Sequence, residues 1–141
     1  MCCGNCLFFR KKMNALALLY VGFGGAFGSI ARYALVNLIA RFNATPFPYG
    51  TVAVNVFGSL LIGIWIASIT VMPSARAKDL HLLFAVGVLG GFTTFSGFSL
   101  DVFLLGEREL YLQMALYIIL SVMLSLAALL LGMWLVKLAA A

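Results

Sequence analysis

The sequence predicts an all-α membrane protein of four transmembrane helices, the third of them broken near mid-membrane, and three observations carry that expectation. First, 65% of the residues are hydrophobic and only 9% are charged, with a mean hydropathy of +1.14 over 141 residues. No soluble domain of this length has enough interior to hide so much apolar surface. Second, the apolar residues gather into four long stretches, about Asn14 to Ala40, Gly50 to Met72, Leu80 to Leu105 and Leu110 to Val136, and each reaches the ~20 residues that cross a bilayer core. Third, the run Gly90-Gly91-Phe92-Thr93-Thr94-Phe95-Ser96-Gly97-Phe98-Ser99 places glycines and hydroxyls inside the third stretch. Backbone amides and carbonyls cannot stay unpaired in hydrocarbon, so a loosened helix at that depth must be buried in protein or line a polar cavity. In so small a protein, such an interruption points to an ion site.

Ahead of the first helix, Cys2, Cys3 and Cys6 are the only cysteines, and Cys3 and Cys6 have the Cys-x-x-Cys spacing of redox or metal sites. A thiol relay across a membrane would want a second cysteine pair, and the chain has none. Residues 1–12 are therefore read as a disordered leader or upstream-start extension before Met13, and residues 13–141 as a single four-helix membrane domain. Arg10-Lys11-Lys12 followed by an apolar run imitates a signal peptide, but no small-x-small cleavage site precedes the glycines, so the segment reads as a retained first helix.

In that first helix, Gly24-x-x-x-Gly28, flanked by Gly22 and Gly25, leaves a bare face suited to close helix packing. Arg32 follows Gly28 by one turn, and either snorkels to the headgroups or stands in an aqueous vestibule that concentrates anions. The second helix carries Asn55 as its one strongly polar side chain at depth, with Gly58 and Ser59 one turn later. An intramembrane Asn serves either as interhelical glue or as a donor of two N–H groups to an anion. In the third helix Phe95 and Phe98 occupy adjoining positions of one face, and the positive edge of an aromatic ring can meet an anion without trapping it by a full charge. The fourth helix aligns Tyr117, Ser121 and Ser125 one turn apart, a ladder of hydroxyls unless each merely bonds its own backbone.

The connections are short: a Pro/Gly turn with aromatics from Arg41 to Gly50, a polar turn from Pro73 to Asp79, and Gly106-Glu107-Arg108-Glu109. Four crossings put Arg10, Lys11, Lys12, Arg76, Lys78 and Lys137 on one side and Arg32, Arg41 and Arg108 on the other. Six against three favours both termini in the cytoplasm under the positive-inside rule; counted from Met13 the balance is three against three, and a chain without charge bias can insert both ways round. That permits an antiparallel dimer.

Three blocks, Gly24-Gly25-Ala26-Phe27-Gly28-Ser29-Ile30-Ala31-Arg32-Tyr33, Gly50-Thr51-x-x-Val54-Asn55-x-x-Gly58 and Gly90-Gly91-Phe92-Thr93-Thr94-Phe95-Ser96-x-Phe98, resemble the signature blocks of the Fluc (CrcB) fluoride channel family. The resemblance covers nearly everything from Met13 onward, in order. It implies a passive, fluoride-selective channel in the bacterial plasma (inner) membrane that exports fluoride from the cytoplasm and so protects against its toxicity. It implies an antiparallel, dual-topology homodimer with two pores. Carried over by position, Phe95 and Phe98 match the paired pore phenylalanines, Asn55 the pore asparagine and Arg32 the vestibule arginine. Tyr117, Ser121 and Ser125 match the polar track of the fourth helix, with the hydroxyls of Thr94 and Ser96 nearby. Gly90 and Thr93 match the positions whose carbonyls, from both subunits, hold a structural Na⁺ at the dimer centre. Gly97 departs from the family's frequent threonine and removes one hydroxyl, while Asp101 stands where an acidic residue is common.

Other classes fit less well. A small multidrug exporter needs an intramembrane carboxylate for proton coupling, and Asp101 is the only candidate. A thiol oxidoreductase would rest on Cys3 and Cys6, and a purely structural subunit would leave the aligned polar face unexplained. No nucleotide loop, metal-ligand cluster or catalytic triad points to an enzyme, and the basic pI near 9.4 reflects topology signals rather than nucleic-acid binding.

Overall fold

The structure, a computed structural model, describes residues 14–43, 45–71 and 77–140. The leader with its three cysteines, and Arg76 of the second connection, lie outside the described residues. Among the described residues every regular element is helical. α1 is Ala15–Phe42 and α2 is Tyr49–Val71. α3 covers residues 77–92, as a turn Ala77–His81, a wide π-helical stretch Leu82–Leu89 and a last turn Gly90–Phe92. α4 is Phe95–Glu107 and α5 is Tyr111–Ala139.

Four stretches, Ala15–Phe42, Tyr49–Thr70, Asp79–Glu107 and Tyr111–Ala139, are long and apolar enough to cross a membrane, with mean hydropathies of 1.4, 2.1, 1.6 and 2.6. Each lies within a few residues of an apolar stretch read from the sequence. Helix propensity alone would not hold the β-branched residues of α2 in place, but in lipid the backbone has no other way to pair its polar groups.

Helix termini follow local chemistry. Pro48 precedes α2, where its fixed φ suits a helix start, and its carbonyl accepts from Val52 N–H at 3.3 Å. α4 ends when Leu110 N–H reaches back to the Leu105 carbonyl at 3.0 Å and Glu109 N–H to that of Gly106 at 2.9 Å. This closure requires a left-handed residue, and Glu109 supplies it at φ 58°.

Lipid gives no hydrophobic drive for helices to associate, so close packing must substitute. A Cβ at Gly28 would collide with the Val88 carbonyl and stand 2.9 Å from Phe92 N, so α1 lies directly on the α3 backbone there. Gly132 plays the same part between α5 and α2, against the Leu60 carbonyl and Ile64 N. Few side chains are enclosed: Val54 and Tyr117 are fully buried, with Leu89, Phe92 and Leu105 nearly so. Phe23, Phe27, Ile30 and Tyr33 of α1 and a broad set of leucines on α5 face outward.

Candidate functional site

Between α3 and α4 the chain leaves helical geometry at two residues only. Thr93 has φ −82° and ψ 157°, and Thr94 has φ −149° and ψ 118°, both extended. The neighbouring Gly90 stays helical, at φ −64° and ψ −36°. The extended pair forfeits helical hydrogen bonds, and each group that loses one must find another partner.

Asn55 of α2 supplies two of those partners. Its Nδ2 donates to the Thr94 carbonyl at 3.0 Å, and its Oδ1 accepts from Thr94 N–H at 2.8 Å. One side-chain amide thus pairs with both the N–H and the C=O of one residue, groups of two successive peptide units. Only one of its two N–H bonds remains for anything else. Thr94 Oγ1 then accepts from Gly97 N–H at 2.9 Å, which caps α4, and lies 3.3 Å from Ser96 Oγ.

Directly beside this junction is a cleft of about 320 Å³. Asn55, Ser59 and Ile62 of α2 form one wall, Thr93, Thr94, Phe95 and Phe98 a second, and Ser121, Val122, Ser125 and Leu126 of α5 the third. The Phe95 and Phe98 ring centroids lie 5.5 Å apart with planes at 36°. Phe98 continues onto Tyr117 at 5.2 Å, and Tyr117 meets the edge of Phe47 at 5.7 Å. An aromatic file therefore runs from the cleft toward the α1–α2 connection. Phe95 is 78% exposed, whereas Ser121 is 4% exposed. Ser121 Oγ is buried with no hydrogen-bond partner among the described residues, an arrangement costly in apolar surroundings unless something else accepts or donates.

The structure thus gathers Asn55, Thr94, Phe95, Phe98, Ser121 and Ser125 around one space. Tyr117 adjoins it through the Phe98 ring, and Ser96 sits next to Thr94 without lining the cleft. Arg32 is placed differently: its Nε donates to the Gly91 carbonyl at 3.2 Å, and Ser29 Oγ approaches the same oxygen at 3.5 Å.

Three further residues, two of them named from the sequence without a role, contribute here. Asp101 accepts from the Tyr117 hydroxyl at 3.0 Å, across from α5 to α4. Ser59 completes the α2 wall, and its position one turn beyond Asn55 was a usable signal. Gln113, one turn before Tyr117, extends the polar line of α5, and its Oε1 is buried without a partner among the described residues. Among those residues no three His, Cys, Asp or Glu side chains come together to hold a metal ion.

The carbonyls of Gly90 and Thr93 fit the oxygen chemistry of a small hard cation. The amides that would cover them in a continuous helix are engaged elsewhere, Thr94 N–H with Asn55 and Gly97 N–H with Thr94 Oγ1. Carbonyl ends of interrupted helices recur as Na⁺ ligands in transport proteins.

The chain matches the family of CrcB-like protein, Camphor Resistance (CrcB), over residues 19–133. It is 44% identical over 121 residues to a protein of Phenylobacterium zucineum (strain HLK1) named fluoride-specific ion channel FluC, covering 86% of this chain and 95% of that one. It is 43% identical over 116 residues to a protein of the same name from Caulobacter sp. (strain K31), covering 82% and 91%. A third such protein, from Chelativorans sp. (strain BNC1), is 42% identical over 120 residues, covering 85% and 95%.

Proposed function

This chain belongs to the CrcB family, an ion-channel family rather than an enzyme family, and on that premise we propose that it is a passive, fluoride-selective channel. The observation that carries the reading is the composition of the cleft: hydrogen-bond donors and the two phenylalanines Phe95 and Phe98 line it together, and no carboxylate does. Fluoride is small and strongly hydrated, so a pore must replace its water with donors placed at short intervals. The free Asn55 N–H, the Ser121 and Ser125 hydroxyls and the edges of Phe95 and Phe98 offer such a series.

None of those groups carries a full positive charge. Binding that is favourable enough to draw the ion in, yet weak enough to release it, is what conduction requires. The flow follows the gradient, and fluoride leaves the cytoplasm whenever its concentration is higher inside. The one carboxylate nearby, Asp101, takes the Tyr117 hydroxyl instead of lining the cleft, which gives a proton-coupled cation exporter no exposed intramembrane acid to work with.

The working unit in this reading is an antiparallel homodimer in the bacterial inner membrane, with one pore per copy. The basic residues of the two sides balance when counted from Met13, three against three, and such a balance would allow dual insertion. Two carbonyls, from Gly90 and Thr93, are too few to satisfy a sodium ion, and a second copy across a two-fold axis doubles the set. A bound Na⁺ would tie the two interrupted spans together. Fluoride efflux from liposomes holding the purified protein, with chloride as control, tests the function. Equal rates for both ions would refute selectivity, and efflux and dimer formation indifferent to sodium removal throughout purification would refute the central cation.

A further inference from the structure

We infer that Arg32 is a positioning residue of the third span, acting through the hydrogen bond of its Nε–H to the Gly91 carbonyl rather than through its charge. In a continuous helix Gly91 O would accept from Phe95 N–H four residues on. The extended backbone of Thr93 and Thr94 removes that partner. An orphan carbonyl inside an apolar bundle is costly, and the cost falls on whatever geometry exposes it. Arg32 Nε meets it at 3.2 Å in a partly buried setting, while the second donor, Ser29 Oγ, stands at the 3.5 Å limit of a useful contact.

The α1 backbone aims Arg32 at this oxygen. Gly24, Gly28 and Arg32 succeed one another one turn apart on one face. Gly24 lies on the backbone of Leu83, Gly87 and Val88, and Gly28 on that of Val88 and Phe92. A Cβ on Gly91 would meet the Gly25 carbonyl and Cα, so the backbones of α1 and α3 touch at the last turn of α3 as well. Arg32 finishes that seam. Asn55 holds Thr94 from the α2 side, so the interruption is gripped at Gly91 by one span and at Thr94 by another. Phe95 follows directly and inherits its position from both.

The nitrogen that bonds Gly91 lies on the stem of the guanidinium, three carbons from Cα. Glutamine has its amide nitrogen at that same bond count and no charge. Lysine keeps the charge but has a methylene there. The two substitutions therefore separate hydrogen bond from charge. Wild type, Arg32→Gln, Arg32→Lys and Arg32→Ala, each first shown to be folded by thermal melting, are compared by deuterium exchange over residues 90–98 and by fluoride efflux from liposomes. With the bond acting, Arg32→Gln keeps wild-type exchange and most of the efflux. Arg32→Lys and Arg32→Ala exchange about five- to tenfold faster, the scale of one lost hydrogen bond, and lose most efflux. Efflux retained in Arg32→Lys and lost in Arg32→Gln, or exchange unchanged in Arg32→Ala, overturns the inference. Only the efflux arm rests on the fluoride reading: a wild type that moves no fluoride refutes that reading, while the exchange ranking still decides the role of Arg32.

Discussion

The meeting of α2 with α5 and the junction of α3 with α4 solve the same problem, holding helices together in lipid, by different means. At the first, Gly63 lies against the Leu129 backbone and Gly132 against Leu60 and Ile64, so the contact is one of shape. At the second, Asn55, Arg32 and Thr94 supply hydrogen bonds to backbone groups that the extended pair has left. Shape packing closes space and leaves nothing for a ligand. A junction held by directional bonds can stay open on one side, and the cleft lies on that side.

Each half of this contrast can be broken separately. The largest effect is expected at the packed half. Gly132→Leu would push a branched side chain into the α2 backbone, and overpacking that cannot relax removes the fold rather than weakening it. The protein should fail to give a monodisperse peak in mild detergent, and a normal peak would mean that α2 and α5 can part without cost. Next comes the junction's product, the ring pair. Phe95→Ile keeps the apolar bulk of a mostly exposed residue and removes the ring edge. Fluoride efflux should fall to near background while thermal stability changes little, and undiminished efflux would move the pathway elsewhere. The smallest change is expected for Thr94→Ala, which removes the cap from Gly97 N–H and should cost about 1 kcal/mol of stability. It also takes one hydroxyl from the cleft wall, so a partial loss of efflux should accompany the lower melting temperature.

How much of this was legible in the sequence follows the same contrast. The four spans were, because a bilayer imposes a minimum apolar length that composition displays directly. Gly24 and Gly28 advertised close packing through their spacing. The junction was legible only as a glycine- and hydroxyl-rich run. The residues that turn extended are the threonines, while Gly90 stays helical, and Gly91 is small because Gly25 touches it. Glycine content does not distinguish a bend from a close approach. The partners of Asn55 and Arg32 lie 39 and 59 residues away, and no periodicity within a helix reports a bond to another helix's backbone. Asn55 therefore read either as interhelical glue or as a donor of two N–H groups, and its bonds to Thr94 make it the first while leaving one N–H for the second. The π-helical stretch Leu82–Leu89 left no trace in its uniformly apolar residues.

The central claim is that the open side of the junction conducts fluoride and discriminates against larger halides. Fluoride and chloride efflux, followed with ion-selective electrodes from liposomes of one preparation containing the wild-type protein, tests it most directly. Rapid fluoride release beside chloride release no faster than from empty liposomes is the expected result. Equal release of the two ions, or no fluoride release above the empty control, would contradict it.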